Sequence, residues 1–184
     1  MSQNDDLIIR CLRKDVRAQR QLYDLYKARV MGLCRRYSNN VEESEDIYQE
    51  AFVKVFQSLE QLHDRSHLEQ WIKRIAVNTA VNYYHRHKRN VHAEESDGRN
   101  QCNNDHTLIL SQFSDELLVS IISELPEGYR MIFNLHEVEG FNHKEIADML
   151  DIAESTSRSQ LNRAKNALQL KLKELGVLKY EGYG

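Results

Sequence analysis

Apolar residues recur at three- and four-residue intervals along most of this chain. After Asp15, residues Ala18, Leu22, Leu25, Tyr26, Val30, Leu33, Cys34 and Tyr37 share one side of a helix, which predicts a single buried face. A shorter helix before it carries Leu7, Ile8, Cys11 and Leu12, with Asp5 or Asp6 expected as its cap. Residues 38–40 interrupt the period. A third helix is expected from about 41 or 43 to 59, with Ile47, Ala51, Val55 and Leu59 at four-residue spacing and Phe52 and Phe56 beside them. Its opposite face is acidic and amide-bearing: Glu42, Glu43, Asp46, Gln49 and Glu50. Residues 62–67 are polar and aperiodic, hence a loop. A fourth helix over 68–88 is expected to bury Trp71, Ile72, Ile75, Ala76 and Thr79. For Trp71 the core is preferred to a stacking surface, because an aromatic at this spacing more often packs.

The periodicity stops at 90–107, VHAEESDGRNQCNNDHT from Val91 onward, which is polar, acidic and amide-rich and reads as a flexible tether. It resumes with Leu117, Leu118, Ile121 and Ile122. Pro126 then fits the first turn of a helix carrying Tyr129, Ile132, Phe133 and Leu135 as far as Gly140. Residues 140–165, GFNHKEIADMLDIAESTSRSQLNRAK, predict two helices joined by a tight turn. Asn142 with Glu145 three residues on is a capping-box start, and Ile146, Ala147, Met149 and Leu150 supply the apolar side. The link 151–153 places Ile152 to fill the angle between the helices. In the second helix Leu161, Ala164 and Leu168 face inward, while Ser155, Arg158, Ser159, Asn162 and Arg163 face out. Hydroxyls, amides and guanidinium groups on one helix face suit phosphate and base-edge contacts in a major groove. After 175–176 the last helix is expected to fray.

Composition sharpens this picture. Of 184 residues 29% are charged, with seven glycines and one proline, a balance that favours helices over sheet turns. The net charge of −3 does not announce a polyanion partner, but its distribution does. Residues 71–89 and 156–173 are basic and contain no acid, whereas 42–50 is strongly acidic. Two basic helices imply two contacts with a polyanion, and the acidic run a surface for something else. Cys11, Cys34 and Cys102 lack metal-ligand spacing; the first two sit in apolar patterns, as buried thiols do. His85 and His87 do not make a metal site by spacing, so no metal and no cofactor are expected. No catalytic triad and no phosphate-cradling glycine loop is present, which argues against an enzyme. No segment reaches membrane-spanning length and the start lacks a signal-like apolar run, so a cytoplasmic protein without membrane insertion is expected.

Four segments in order resemble the extracytoplasmic-function (ECF) group of bacterial sigma factors. LYDLY at 22–26 is similar to the group's first core helix. EDIYQEAFVKVF at 45–56 resembles the segment that grips RNA polymerase. WIKRIAVNTAVNYYHR at 71–86 resembles the helix that opens and reads the minus-10 element, and LPEGYR with the following helix–turn–helix resembles the reader of the minus-35 element. The resemblance implies that Asp46, Gln49, Glu50 and Val53, one face of their helix, dock on the basic clamp helices of the largest subunit of core RNA polymerase. It implies that His63, Asp64, Arg65 and Ser66 line a pocket for a flipped minus-10 base. Asn78, Asn82 and Tyr83 would touch that strand, with Lys73, Arg74 and Arg86 on phosphates. Asn82 departs from the group, where an acid is frequent. In the second domain Arg158, Ser159, Asn162 and Arg163 would face promoter DNA, with His136, Lys144 and Gln160 as secondary contacts. Ser157 stands where the group is usually apolar, which predicts looser packing at the start of that helix, and Gln160 replaces a frequent arginine.

The expected architecture is all-α: a helical domain over 1–89 for polymerase and minus-10 contacts, a flexible linker over 90–113, and a helix–turn–helix domain over 114–184 for minus-35 contacts. The expected function is that of a transcription initiation factor that brings core RNA polymerase to promoter DNA and assists melting. An anti-sigma protein is implied as a further partner. The alternative is a regulator that binds paired half-sites as a dimer without polymerase.

Overall fold

The computed structural model describes residues 3–91 and 115–176; the expected tether after Val91, Cys102 and the chain after Gly176 lie outside the described residues. All regular structure among them is helical, and the chain divides into two compact units, Met1–Asn90 and Val91–Gly184.

The first unit comprises α1 (Gln3–Leu12), α2 (Val16–Tyr37), α3 (Val41–Ser58) and α4 (Leu68–Val91). Asp5 and Asp6 lie inside the first turn of α1 rather than capping it; there they face the partial positive charge of the helix start. Asp15 performs the capping instead. Its Oδ1 accepts from the backbone N–H of Arg17 at 2.8 Å and Ala18 at 3.2 Å, while Oδ2 accepts from Arg10 Nε at 3.0 Å. One carboxylate therefore satisfies orphan donors of α2 and ties α1 to the corner. Asn40 caps α3 in the same way through Glu43 N at 2.8 Å.

Leu7, Ile8 and Cys11 of α1, Leu22, Val30, Leu33 and Tyr37 of α2, and Ile47, Phe52 and Val55 of α3 form the interior. Ala18, Ala51 and Ala76 are fully buried and let the helix backbones approach closely. Each buried Leu, Ile or Phe contributes about 1.5–3 kcal/mol. Leu25 is an exception to the predicted face, 54% exposed, because the buried stripe of α2 runs from Leu22 through the half-buried Tyr26 to Val30 and leaves Leu25 at its edge. Cys34 is a buried free thiol, pushed up to about 12 by desolvation, and is inert for that reason. The segment expected as a loop at 62–67 contains a single 3-10 turn, Arg65–His67, after another at Leu59–Gln61. The helix α4 continues through Val91, past the expected start of the tether.

The second unit comprises α5 (Asp115–Ser123), α6 (Glu127–Phe133), a π-helical segment Asn134–Val138, α7 (His143–Leu150) and α8 (Glu154–Glu174). Pro126 is the N-cap of α6 and not its first helical residue, and its carbonyl accepts from Arg130 N at 2.9 Å. Where an α-helix running to Gly140 was expected, the hydrogen bonds span five residues in place of four: Glu139 N donates to Asn134 O at 2.9 Å. Gly140, at φ +80°, then reverses the chain. Phe133, Leu135, Ile146, Leu150, Leu161, Ala164 and Leu168 close the interior. Met149 and Ile152, expected inside, are only half-buried: Met149 lies about 100° around α7 from Leu150, beside the buried stripe of Ile146, Ala147 and Leu150, and Ile152 lies past the helix end.

Candidate functional site

On α3 the structure brings Asp46, Gln49 and Val53 together as an exposed patch; Val53 is 53% exposed despite being apolar. Glu50, expected beside them as a free acid, is half-buried and turned towards α4. Its carboxylate accepts from Arg86 Nη2 at 2.5 Å, from Arg86 Nη1 at 3.4 Å and from Lys54 Nζ at 2.7 Å. Burial works to raise this carboxyl, but the bonds from Arg86 and Lys54 outweigh it and hold it below the ordinary carboxylate range. Arg86, expected on phosphates, is thus already paired, with its guanidinium 5.6 Å from the Tyr83 ring centroid. Tyr83 in turn stacks on His87 at 4.1 Å.

A cavity of about 330 Å³ opens between the 62–67 segment and α4. His63 and Asp64 line it as expected, joined by His67, Gln70, Trp71 and Arg74. Asp64 makes the wall rigid. It accepts from Ser66 N at 2.9 Å, Ser66 Oγ at 2.6 Å and His67 Nδ1 at 2.9 Å, and the Ser66 bonds hold its carboxyl below the ordinary range. Ser66 is spent on this turn, and neither it nor Arg65 lines the cavity. Trp71 is half-buried with its side chain in the wall, not in the core; the reading of the spacing failed because α4 is exposed where it passes the cavity. His67 and Gln70 were missed, although 70, 71 and 74 follow a helical stagger that signals a shared face of α4.

From this cavity Arg74, Asn78 and Asn82, at four-residue spacing, form an exposed stripe up α4. Lys73 does not belong to it. It lines a separate groove of about 340 Å³ with Arg29, Arg36, Glu69 and Ile72 against α2, one residue being a turn of about 100° around a helix.

In the second unit the capping box is complete: Glu145 N donates to Asn142 Oδ1 at 2.9 Å and Asn142 N to Glu145 Oε2 at 2.8 Å. Asp151, at φ +53°, ends α7 in the left-handed region, and Ala153 opens α8 without a side-chain cap. Lys144, Arg158 and Ser159 are exposed, and Gln160, Asn162 and Arg163 half-exposed. Arg158 is ion-paired with Glu154 one turn before it, Ser159 Oγ donates to Thr156 O at 3.0 Å, and Arg163 Nη1 reaches Tyr129 Oη at 3.5 Å.

Ser157 does not loosen the packing as expected. It is fully buried and shares a hydrogen bond with His143 Nδ1 at 3.0 Å, so the hydroxyl is satisfied where an apolar residue was anticipated. His143 stacks on His136 at 4.5 Å, His136 Nδ1 meets Glu137 Oε1 at 2.8 Å, and Lys165 binds the same oxygen at 3.0 Å. Secondary candidate His136 is therefore part of this internal chain. Among the described residues no group of three or more His, Cys, Asp or Glu is placed to hold a metal ion, and no helix is long and apolar enough to cross a membrane.

Residues 22–90 match the family described as Sigma-70 region 2, and residues 115–168 that described as Sigma-70, region 4. The chain is 33% identical over 180 residues to the ECF RNA polymerase sigma-E factor of Escherichia coli (strain K12), covering 92% of this chain and 94% of that protein. The chain belongs to the ECF sigma factors of the sigma-70 family. It is also 30% identical over 184 residues to the RNA polymerase sigma-H factor of Pseudomonas aeruginosa, with 94% of this chain and 95% of that one covered. A solved structure of CnrH in complex with the cytosolic domain of CnrY overlaps it at a TM-score of 0.47 and 19% identity, over 91% of this chain and 96% of that one. As a sigma factor the chain is a transcription initiation factor that binds core RNA polymerase and directs it to promoter DNA. The family's members are not enzymes.

Proposed function

We propose a division of labour between the two units. The first docks on the clamp helices of core polymerase through Asp46, Gln49 and Val53, and captures the non-template strand of the minus-10 element. The second reads the minus-35 element through Arg158, Ser159 and Asn162, with Gln160, Arg163 and Lys144 at its margin. The observation that carries the reading is the cavity between the 62–67 segment and α4. An indole, two imidazoles, two amides, a guanidinium and the Asp64 carboxylate line it, and the Arg74–Asn78–Asn82 stripe runs from its rim. A base that leaves the duplex needs a stacking face, hydrogen-bonding groups and cations for its phosphates, and these residues supply all three. Melting would then draw on base capture and polymerase contacts, with no nucleotide hydrolysis, in the cytoplasm where polymerase and DNA meet. An anti-sigma protein would act by covering the docking patch or the DNA faces.

The test is reconstitution. Purified chain mixed with sigma-free core polymerase is expected to yield promoter-specific transcripts, and permanganate footprinting to show unpaired thymines at the minus-10 element. Absence of association with core polymerase would refute the reading.

A further inference from the structure

Glu50 lies where the two proposed surfaces of the first unit meet. It shares the α3 face with Asp46, Gln49 and Val53, yet its carboxylate holds Arg86 of α4 at 2.5 Å and Lys54 of its own helix at 2.7 Å. We propose that Glu50 is an internal counter-ion that withholds Arg86 from nucleic acid until a cationic side chain of docked polymerase engages it. The inference rests on the function proposed above.

Cations compete for the Glu50 carboxylate. A guanidinium with two N–H groups on a carboxylate has its best acceptor already, and Glu50 cancels one of the two positive charges that Arg86 and Lys54 would otherwise present to a phosphate. The carboxylate faces two cations in the free protein. A third, brought by polymerase, repels both and competes for the same lone pairs. Arg86 is the cation most easily released, because its side chain is 54% exposed against 37% for Lys54 and it comes from another helix. Once released it stays beside Tyr83, whose ring is 5.6 Å away, and points along the α4 face that carries Asn78 and Asn82.

Linkage makes the effect reciprocal: a phosphate that draws Arg86 away leaves Glu50 open to polymerase, and each event strengthens the other by the same factor. The pair is partly exposed, so the factor is modest, about two- to five-fold. A sigma factor built in this way binds DNA weakly alone and better once seated on core polymerase. It would gain that behaviour from one side chain and without moving a domain.

The experiment uses the full chain and a fluorescent single-stranded deoxyoligonucleotide of mixed sequence, since a phosphate contact is independent of base. Glu50→Gln is expected to bind the probe about two- to five-fold more tightly than the unaltered chain. Asp46→Asn removes the same charge from the same face without touching Arg86, and is expected to gain less. In an Arg86→Gln background, Glu50→Gln is expected to gain no more than Asp46→Asn does in the unaltered chain. Conversely, Arg86→Gln is expected to bind core polymerase about two- to five-fold more tightly in the absence of DNA. A pair that merely braces the fold gives the opposite pattern: Glu50→Gln no tighter than Asp46→Asn on DNA, and Arg86→Gln weaker on polymerase. Either result overturns the inference. If the unaltered chain binds neither probe nor core polymerase, the function proposed above fails and this inference falls with it.

Discussion

The bond between His143 and Ser157 offers the most direct test of how the helix–turn–helix is held. Ser157 has no exposed surface and sits in the first turns of α8, directly before Arg158 and Ser159. Its partner His143 is the first residue of α7, 3.0 Å away, so the bond spans the two helices at the point where their angle is set. Replacing His143 by Phe leaves a buried hydroxyl without that partner, a loss of about 1–3 kcal/mol. The hydroxyl can turn to the Ala153 carbonyl one turn back, which places the expected cost near the lower end, about 1–2 kcal/mol. Ser157→Ala strands a half-exposed imidazole that water reaches, so about 0.5–1.5 kcal/mol is expected. The double variant should cost little more than His143→Phe alone, leaving a coupling of about 1 kcal/mol. Hydrogen exchange followed by mass spectrometry on the full chain reads this directly. Peptides from α7 and α8 should exchange roughly five- to thirty-fold faster in His143→Phe, while those from α2 and α3 stay unchanged. Single-variant losses that add to within about 0.3 kcal/mol would show that the two side chains do not work as a pair.

Three further outcomes are expected. Asp46→Ala with Gln49→Ala should weaken binding to core polymerase about tenfold or more, near 1.4 kcal/mol, with an unchanged melting temperature because both side chains are exposed. Arg158→Ala should weaken minus-35 recognition while sparing polymerase binding; a phosphate contact lowers the salt slope by about one, a base contact relaxes specificity by about 1–3 kcal/mol. Loss of both activities would contradict the separation of roles. Burial, the neighbouring His136 and Arg158 push His143 below its ordinary value of 6.5. A base whose folded value is depressed favours its neutral form, so its contribution is complete above that ordinary value and is lost as pH falls through it towards the folded one. Hydrogen exchange across that window should therefore show α7 and α8 losing protection in acid, less so in His143→Gln.

The helices themselves were legible because burial on a 3.6-residue period leaves a repeat that a reader can count. Ile47, Ala51 and Val55 state α3 without help from the rest of the chain, and the Asn142–Glu145 capping box states the start of α7. What escaped were pairings at long range. Glu50 and Arg86 are thirty-six residues apart and His143 and Ser157 fourteen, and no local rule links such positions. Each belongs to two patterns at once, an acidic face and a basic helix, or a helix start and an apolar slot. Local patterns therefore misplaced them: Glu50 was expected on the open acidic face with Asp46 and Gln49, and Ser157, set against the resembled group, as a loosening of the helix start. The π-helical widening at Asn134–Val138 is likewise invisible to a count of apolar residues, since Leu135 is buried in either geometry.

Trp71 is the single tryptophan of the chain and forms part of the wall of the 62–67 cavity. Its indole is therefore a native fluorophore already standing at the proposed point of strand capture. A nucleobase that stacks in the cavity quenches indole emission on contact. Promoter opening can then be followed in real time by intrinsic fluorescence, with no dye on the protein; 5-hydroxytryptophan placed in this chain alone absorbs at longer wavelength than tryptophan and can be excited apart from the polymerase's own tryptophans. The residue that helps to shape the pocket also makes its occupancy visible.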